Sequence, residues 1–313
     1  MNSHYSLGID TSNYKTSVAV VDAEGNMTCN LQKYLDVKKG ERGLRQSAAL
    51  FQHVNNLPVL MQEAFETVSG QGRIDCICVS ARPRPLEGSY MPVFNAGISA
   101  GRMLAAALNT DYFEFSHQEG HIEAVKYESP LRDVKRMISF HFSGGTSEAL
   151  LVDGENIDII GGSKDLAFGQ VLDRVGVALG MDFPCGQELD ELAAGGRYVN
   201  ENLLPKIKCI DGFINLSGIE TKCQRLIGEC EENALITMLF QRLGESIEEM
   251  VSQLHSKYEI EDFLFAGGVS SSCCIRTMLK TDLPYLNIYF GEPALSTDNA
   301  VGIARLGGKK IWL

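Results

Sequence analysis

Two segments of this chain can be laid over one another without a gap, and that duplication limits the folds available to it. Residues 7–22 read LGIDTSNYKTSVAVVD and residues 138–153 read ISFHFSGGTSEALLVD. Each is an apolar run, a polar turn and a second apolar run closing on Val-Asp. Strand, tight turn, strand is a β-hairpin pattern. Gly144 and Gly145 are expected to supply the positive φ of the second turn. Equal hairpins in separate halves imply two lobes of similar topology.

Helical patterns alternate with further strands around the hairpins. Residues 97–109, rich in Ala and Leu, read as a buried helix. Residues 233–255 place Leu235, Leu239, Leu243, Ile247, Val251 and Leu254 on one helical stripe. Residues 74–79, 112–115, 263–265 and 286–289 read as strands. The alternation makes the chain α/β, a duplicated mixed sheet flanked by helices. The apolar pattern breaks at residues 127–136. The expected division is a first lobe over 1–130, a second over 131–296, and a segment 297–313 returning to the first.

Composition narrows the function classes. The chain has 313 residues, a formal net charge of −12 and nine cysteines. A surplus of acid disfavours a chain that grips nucleic acid alone, because phosphate neutralisation takes Lys and Arg. A partner protein or a local basic patch would be needed. No apolar run nears the roughly 18 residues that span a bilayer, and the N-terminus lacks a secretion pattern. An odd cysteine count without C-x-x-C spacing reads as packed, reduced thiols. The expected location is the cytoplasm, with no membrane partner.

Three turns and one histidine pair carry chemistry. Ser143-Gly144-Gly145-Thr146-Ser147 offers close backbone approach, successive N–H groups and hydroxyls to an anion, although it also serves as a plain hairpin turn. Its twin, Asp10-Thr11-Ser12, adds a carboxylate that reaches a phosphate only through a metal or water. Gly267 and Gly268 lie in a turn between an apolar run and a helix pattern, where α/β folds place nucleotides. His117 and His121 sit four apart in a helix that Ser116 and Glu119 should open as a capping box, so both imidazoles share one face. The residue after the first His is Gln118 rather than the Glu a zinc protease uses as its base. Asp298 is a candidate third ligand; two His and one carboxylate suit iron(II) or zinc. Asp165, Asp173, Asp182 and Asp190 are acids on or beside helices, and Asp173 and Gly186 bracket a turn suited to ribose hydroxyls.

Taken together, LGIDTS, His117 to His121, Ser143 to Gly145, D-x-A-x-G at Asp165, and DFPCG at Asp182 resemble the TsaD family, formerly called the glycoprotease family. LSGIET at Leu216, AGGVS at Ala266 and STDNA at Ser296 extend the resemblance over nearly the whole chain. It implies the two-lobed actin-like ATPase fold of sugar kinases and heat-shock ATPases. It also implies transfer of a threonylcarbamoyl group from a nucleotide-activated adenylate donor to adenosine of tRNA. By position, His117, His121 and Asp298 would hold one divalent metal, iron or zinc. Ser143, Gly144, Gly145, Thr146, Asp173, Gly186, Asp190, Gly267, Gly268 and Ser272 would line a site for ATP or the adenylate. Asp10 and Lys15 are the catalytic candidates of the first turn. The implied partners are tRNA, a TsaB-like or other complex subunit, and a second copy in a homodimer.

Departures from the family pattern mark a divergent paralogue. Where the family carries Cys-Asp-Glu-Thr, this chain has Asn13-Tyr14-Lys15-Thr16, which reverses the local charge. Gln46, Ser47 and Phe51 replace a Pro-Glu and an Arg, and Arg82-Pro83-Arg84-Pro85-Leu86 replaces a Gly-Pro-Gly stretch. Thr146 stands for a His and Ser272 for an Asn. Two alternatives remain: a non-catalytic or nucleotide-binding partner protein, and a carbamoyltransferase with another acceptor.

Overall fold

The computed structural model describes residues 3–12, 14–37, 44–127, 129–154, 156–195 and 203–312. The chain forms two compact units, one of residues 1–127 with 297–313 and the other of residues 128–296.

In the first unit, β1 (Ser3–Asp10), β2 (Lys15–Asp22) and β3 (Met27–Tyr34) form an antiparallel meander. Beside β1 run β4 (Gly72–Arg82) and then β5 (Asp111–Ser116), both parallel, so the order is β3-β2-β1-β4-β5. The period-2 alternation of strands divides the core in two. Ile77 and Val79 of β4 join Leu7 and Ile9 against α1 (Gln46–Val68) and α2 (Asn95–Leu108). Cys76 and Cys78, which alternate with them in sequence, pack with Phe115 and with Ile303 of the C-terminal helix (Val301–Trp312). That helix also packs on α3 (His117–Tyr127).

The second unit repeats the plan. β6 (Arg136–Phe142), β7 (Ser147–Asp153) and β8 (Asn156–Ser163) form its meander. After the short β9 (Phe213–Ile214), β10 (Asp262–Ala266) pairs parallel with β6, and β11 (Asn287–Phe290) with β10. The run β8-β7-β6-β10-β11 matches β3-β2-β1-β4-β5 strand for strand, with β9 added beyond β8. The register matches too. Tyr5 faces Asp22 in the first hairpin and Arg136 faces Asp153 in the second, which are equivalent positions in the ungapped overlay. The helices of this unit are α4 (Phe168–Ala178), α5 (Gly186–Gly195), α6 (Ser217–Leu226), α7 (Glu232–Tyr258) and α8 (Cys273–Asp282). The apolar stripe of α7 is fully buried, against a core that includes Phe140, Phe142, Phe168, Phe263 and Phe265.

Two local expectations need correction. α2 is a surface helix: Met103 is 67% exposed and Leu108 44%, while Ala96, Gly97, Gly101 and Ala105 face the sheet. Small residues let it lie close, so its large ones point outward. Neither Gly144 nor Gly145 adopts positive φ. The turn is closed instead by Ser143, whose N–H donates to the Thr146 carbonyl and whose hydroxyl accepts from the Thr146 N–H.

The approach of the C-terminal helix to α3 is controlled by one residue. A Cβ at Gly302 would collide with the carbonyl of Gly120 and lie 2.8 Å from the amide nitrogen of Ala124. Gly302→Ala is therefore expected to cost about 1–3 kcal/mol by overpacking, read as a lower thermal midpoint. A midpoint equal to wild type would show that the helices separate without penalty.

Candidate metal centre

The first unit brings Asp10, His117, His121 and Asp298 together from three parts of the chain. Asp10 ends β1, the two histidines occupy the first turns of α3, and Asp298 lies just before the C-terminal helix. The start of α3 is set by the anticipated capping box: the Ser116 N–H donates to Glu119 Oε2 at 2.6 Å, and the Glu119 N–H donates to Ser116 Oγ at 3.1 Å.

Three donor atoms converge. His117 Nε2 and His121 Nε2 are 2.9 Å apart, and Asp298 Oδ1 lies 3.3 Å from the first and 3.2 Å from the second. Metal–ligand bonds of about 2.1 Å separate neighbouring donors by about 3.0 Å in an octahedron and about 3.4 Å in a tetrahedron. The observed edges fall across that range, so the residues fit a divalent ion bound on one triangular face with positions left open. Behind the histidines, Asp10 Oδ2 accepts from His117 Nδ1 at 3.0 Å, which directs the Nε2 lone pair at the centre. Asp10 is itself held, because its Oδ1 accepts the Ser12 N–H at 2.8 Å.

The electrostatics ask for positive charge at that centre. Burial opposes a charge on His117, yet the Asp10 and Asp298 carboxylates outweigh it and hold the imidazolium up to about 10. Burial and the charge on His117 push His121 down. Asp298 stays far below the ordinary carboxylate range because its bonds and attraction to both histidines overcome its burial.

The first-turn lysine is placed differently from a surface phosphate ligand. Lys15 is 6% exposed. Its Nζ donates to Thr297 Oγ1 at 2.8 Å and to Gln32 Oε1 at 3.2 Å, and lies 4.8 Å from the centre of the Tyr34 ring. It thus contacts the residue beside Asp298. Asn13 lies outside the described residues.

The remaining candidates belong to the second unit. The turn of Ser143 to Thr146 rests on the start of α4, where a Cβ on Gly169 would strike Gly144 and the Ser143 carbonyl. Gly144, Gly145, Gly186 and Gly268 each have open space where a Cβ would stand. Asp173 accepts the Cys185 N–H at 2.9 Å and is raised by burial. Asp190 accepts from Ser272 Oγ at 2.5 Å and from the Cys273 and Cys274 N–H groups at 2.7 and 3.2 Å. It fastens α5 to the start of α8, which Ser272 also caps through the Ile275 N–H. Gly267 and Gly268 follow β10 and open the turn that leads to Ser272.

Sequence reasoning missed three partnerships: Asp10 with His117, Lys15 with Thr297, and Asp190 with Ser272. It also leaves Asp165 without a structural role. Asp165 takes the N–H groups of Leu166, Leu216 and Ser217 and the Ser217 hydroxyl, so it clamps the start of α6. Burial pushes Asp165 up, but those four donors outweigh it and hold it at about 2.

Comparison with known proteins follows the same outline. The profile of the TsaD family, tRNA N6-adenosine threonylcarbamoyltransferase, matches residues 28–305. A protein of that name from Dictyoglomus turgidum is 30% identical over 96% of this chain and 92% of its own. One from Archaeoglobus fulgidus is 27% identical over 96% and 90%. Among solved structures, component A of (R)-2-hydroxyglutaryl-CoA dehydratase from Acidaminococcus fermentans gives a TM-score of 0.60 at 15% identity, with 98% of each chain covered. The ROK hexokinase of Thermus thermophilus gives 0.58 at 12% identity, over 98% of this chain and 99% of its own. At such identities the structural likeness shows the fold alone, the actin-like ATPase fold.

Two outcomes follow from the geometry. Asp10→Asn is expected to weaken metal binding by about 10–100-fold while the chain stays folded, measured by competition with a chromophoric chelator; unchanged affinity would remove Asp10 from the site. Asp165→Ala is expected to cost about 1 kcal/mol at neutral pH. An aspartate depressed from about 3.9 stabilises fully above about pH 4, and loses that contribution as the pH falls toward 2. The stability difference between variant and wild type should therefore shrink over that interval in denaturant titrations, and a constant difference would contradict the clamp.

Proposed function

Because the chain belongs to the TsaD family of tRNA N6-adenosine threonylcarbamoyltransferases, we propose that it transfers a threonylcarbamoyl group from an adenylate donor to adenosine of tRNA. The observation that carries this reading to the chemistry is the convergence of His117, His121 and Asp298 on one point, with Asp10 behind them. In the proposed reaction the N6 amine attacks the carbamoyl carbon. A C–N bond forms, the bond from carbon to the adenylate phosphate oxygen breaks with its electrons leaving on AMP, and N6 loses a proton.

The residues divide the work. A divalent metal, iron or zinc, would supply a Lewis acid and a template for phosphate or carbamoyl oxygens. His117, His121 and Asp298 hold it, and Asp10 fixes the tautomer of His117. Lys15, held by Gln32, Thr297 and the Tyr34 ring, adds positive charge beside the Asp298 loop and favours an anionic donor. The open backbone at Gly144, Gly145 and Gly268 suits a nucleotide's phosphates and base, with Asp190 and Ser272 holding the segment after Gly268 and Asp173 holding the Cys185 amide before Gly186. Among the described residues no helix is long and apolar enough to cross a membrane. We place the reaction in the cytoplasm, with a TsaB-like or other subunit, or a second copy of the chain, assisting tRNA binding.

Complementation tests this. A bacterium depleted of its own TsaD would express this chain, and threonylcarbamoyladenosine in its tRNA would be quantified by mass spectrometry. The expected outcome is restored nucleoside with wild type and none with His117→Ala, which should also lose its metal. A folded wild-type chain that restores nothing, even when the bacterium's own partner subunits are co-expressed, would overturn the assignment in favour of a non-catalytic partner or another acceptor.

A further inference from the structure

The second unit carries a groove of about 710 Å³ between the segment around Leu204 and the helix α6. Its lining includes Lys206, Lys222, Arg225 and Arg242 and no acidic side chain. That concentration is notable in a chain with 40 acidic against 28 basic residues.

The groove has a fixed floor and exposed cations above it. Arg242, 5% exposed, donates from Nε to the Leu204 carbonyl at 2.9 Å and from a terminal nitrogen to Glu245 at 2.7 Å. It ties the loop bearing Lys206 to α7, and its own charge is answered by Glu245. Lys206, Lys222 and Arg225 are exposed; Lys206 is attracted by Glu248 of α7, and none of the three sits in a close ion pair among the described residues. Lys222 and Arg225 are three apart on α6, which puts their Cβ atoms about 5–6 Å apart on one face. Gly218, in the first turn of the same helix, leaves open space where a side chain would stand.

We infer that this groove binds the phosphodiester backbone of the tRNA acceptor. The inference rests on the proposed function for the identity of the polyanion. Exposed cations on a helix face and a pinned loop make a surface that neutralises successive phosphates without reading bases. A local cationic groove also answers the problem posed by the net charge of −12, since an acidic chain must confine its phosphate contacts to such a patch.

The test uses the full chain, a fluorescein-labelled tRNA transcript and anisotropy titrations from about 50 to about 200 mM salt. The variant is Lys206→Ala/Lys222→Ala/Arg225→Ala. A control, Arg136→Ala/Lys257→Ala/Lys280→Ala, removes the same charge from exposed positions outside the groove lining. The expected result is a log–log salt slope lowered by about two to three units and an affinity at about 50 mM lower by on the order of tenfold to a hundredfold. The control should keep the wild-type slope, and metal content should be equal in all three proteins. Equal slopes in groove variant and wild type would overturn the groove while leaving the proposed reaction intact. A wild-type chain that binds no tRNA at any salt, and makes no modified nucleoside, would overturn both. Polyglutamate that displaces the RNA at equal charge concentration would assign the groove to an acidic protein segment instead.

Discussion

The first unit depends on one close contact, the approach of the C-terminal helix to α3 with Gly302 against the Gly120 carbonyl. Neither backbone carries a side chain at the crossing, so the helices approach more closely than ordinary packing allows. That distance sets where the preceding loop ends. Asp298 lies in this loop, and its carboxylate meets imidazoles from the other helix at 3.2 and 3.3 Å. An added methyl at the crossing would act on the ligand geometry through the backbone, because close-packed interiors transmit displacement rather than absorb it.

Charge is organised around that contact. Two carboxylates, one in front of His117 and one behind it, raise that imidazole to about 10 despite its burial. Such an arrangement is costly unless positive charge is present, because like-signed buried carboxylates would otherwise face one another across an imidazole. Lys15 continues the theme. Its ammonium is buried against Gln32, Thr297 and the Tyr34 ring, one residue from Asp298. A family position that carries acid thus carries base here, directed inward rather than to a surface phosphate.

In the second unit the carboxylates have a different task. Asp165 and Asp190 each gather several donors at a helix start, and Asp173 holds the Cys185 amide. All three keep turns in position by satisfying backbone groups that a helix end leaves without partners. The glycine turns are left with open space above them, and the cationic groove at α6 stands on the helix whose start Asp165 clamps.

Local pattern alone determined a great deal about this protein. The ungapped repeat of the two hairpins foretold the duplicated sheet, and the Ser116–Glu119 box foretold that His117 and His121 would share a helical face. These were legible because period and capping are properties of neighbours in the chain. Tertiary structure decided the rest. Whether Asp298 reaches the histidines, whether Asp10 faces a phosphate or an imidazole, and whether Lys15 points out or in all depend on elements far apart in sequence. Small glycines set those approaches, and a glycine's role as a contact is visible only when its neighbour across the interface is known. The same reason hid the groove, since Lys206, Lys222, Arg225 and Arg242 come from a loop and two helices whose proximity no spacing rule contains.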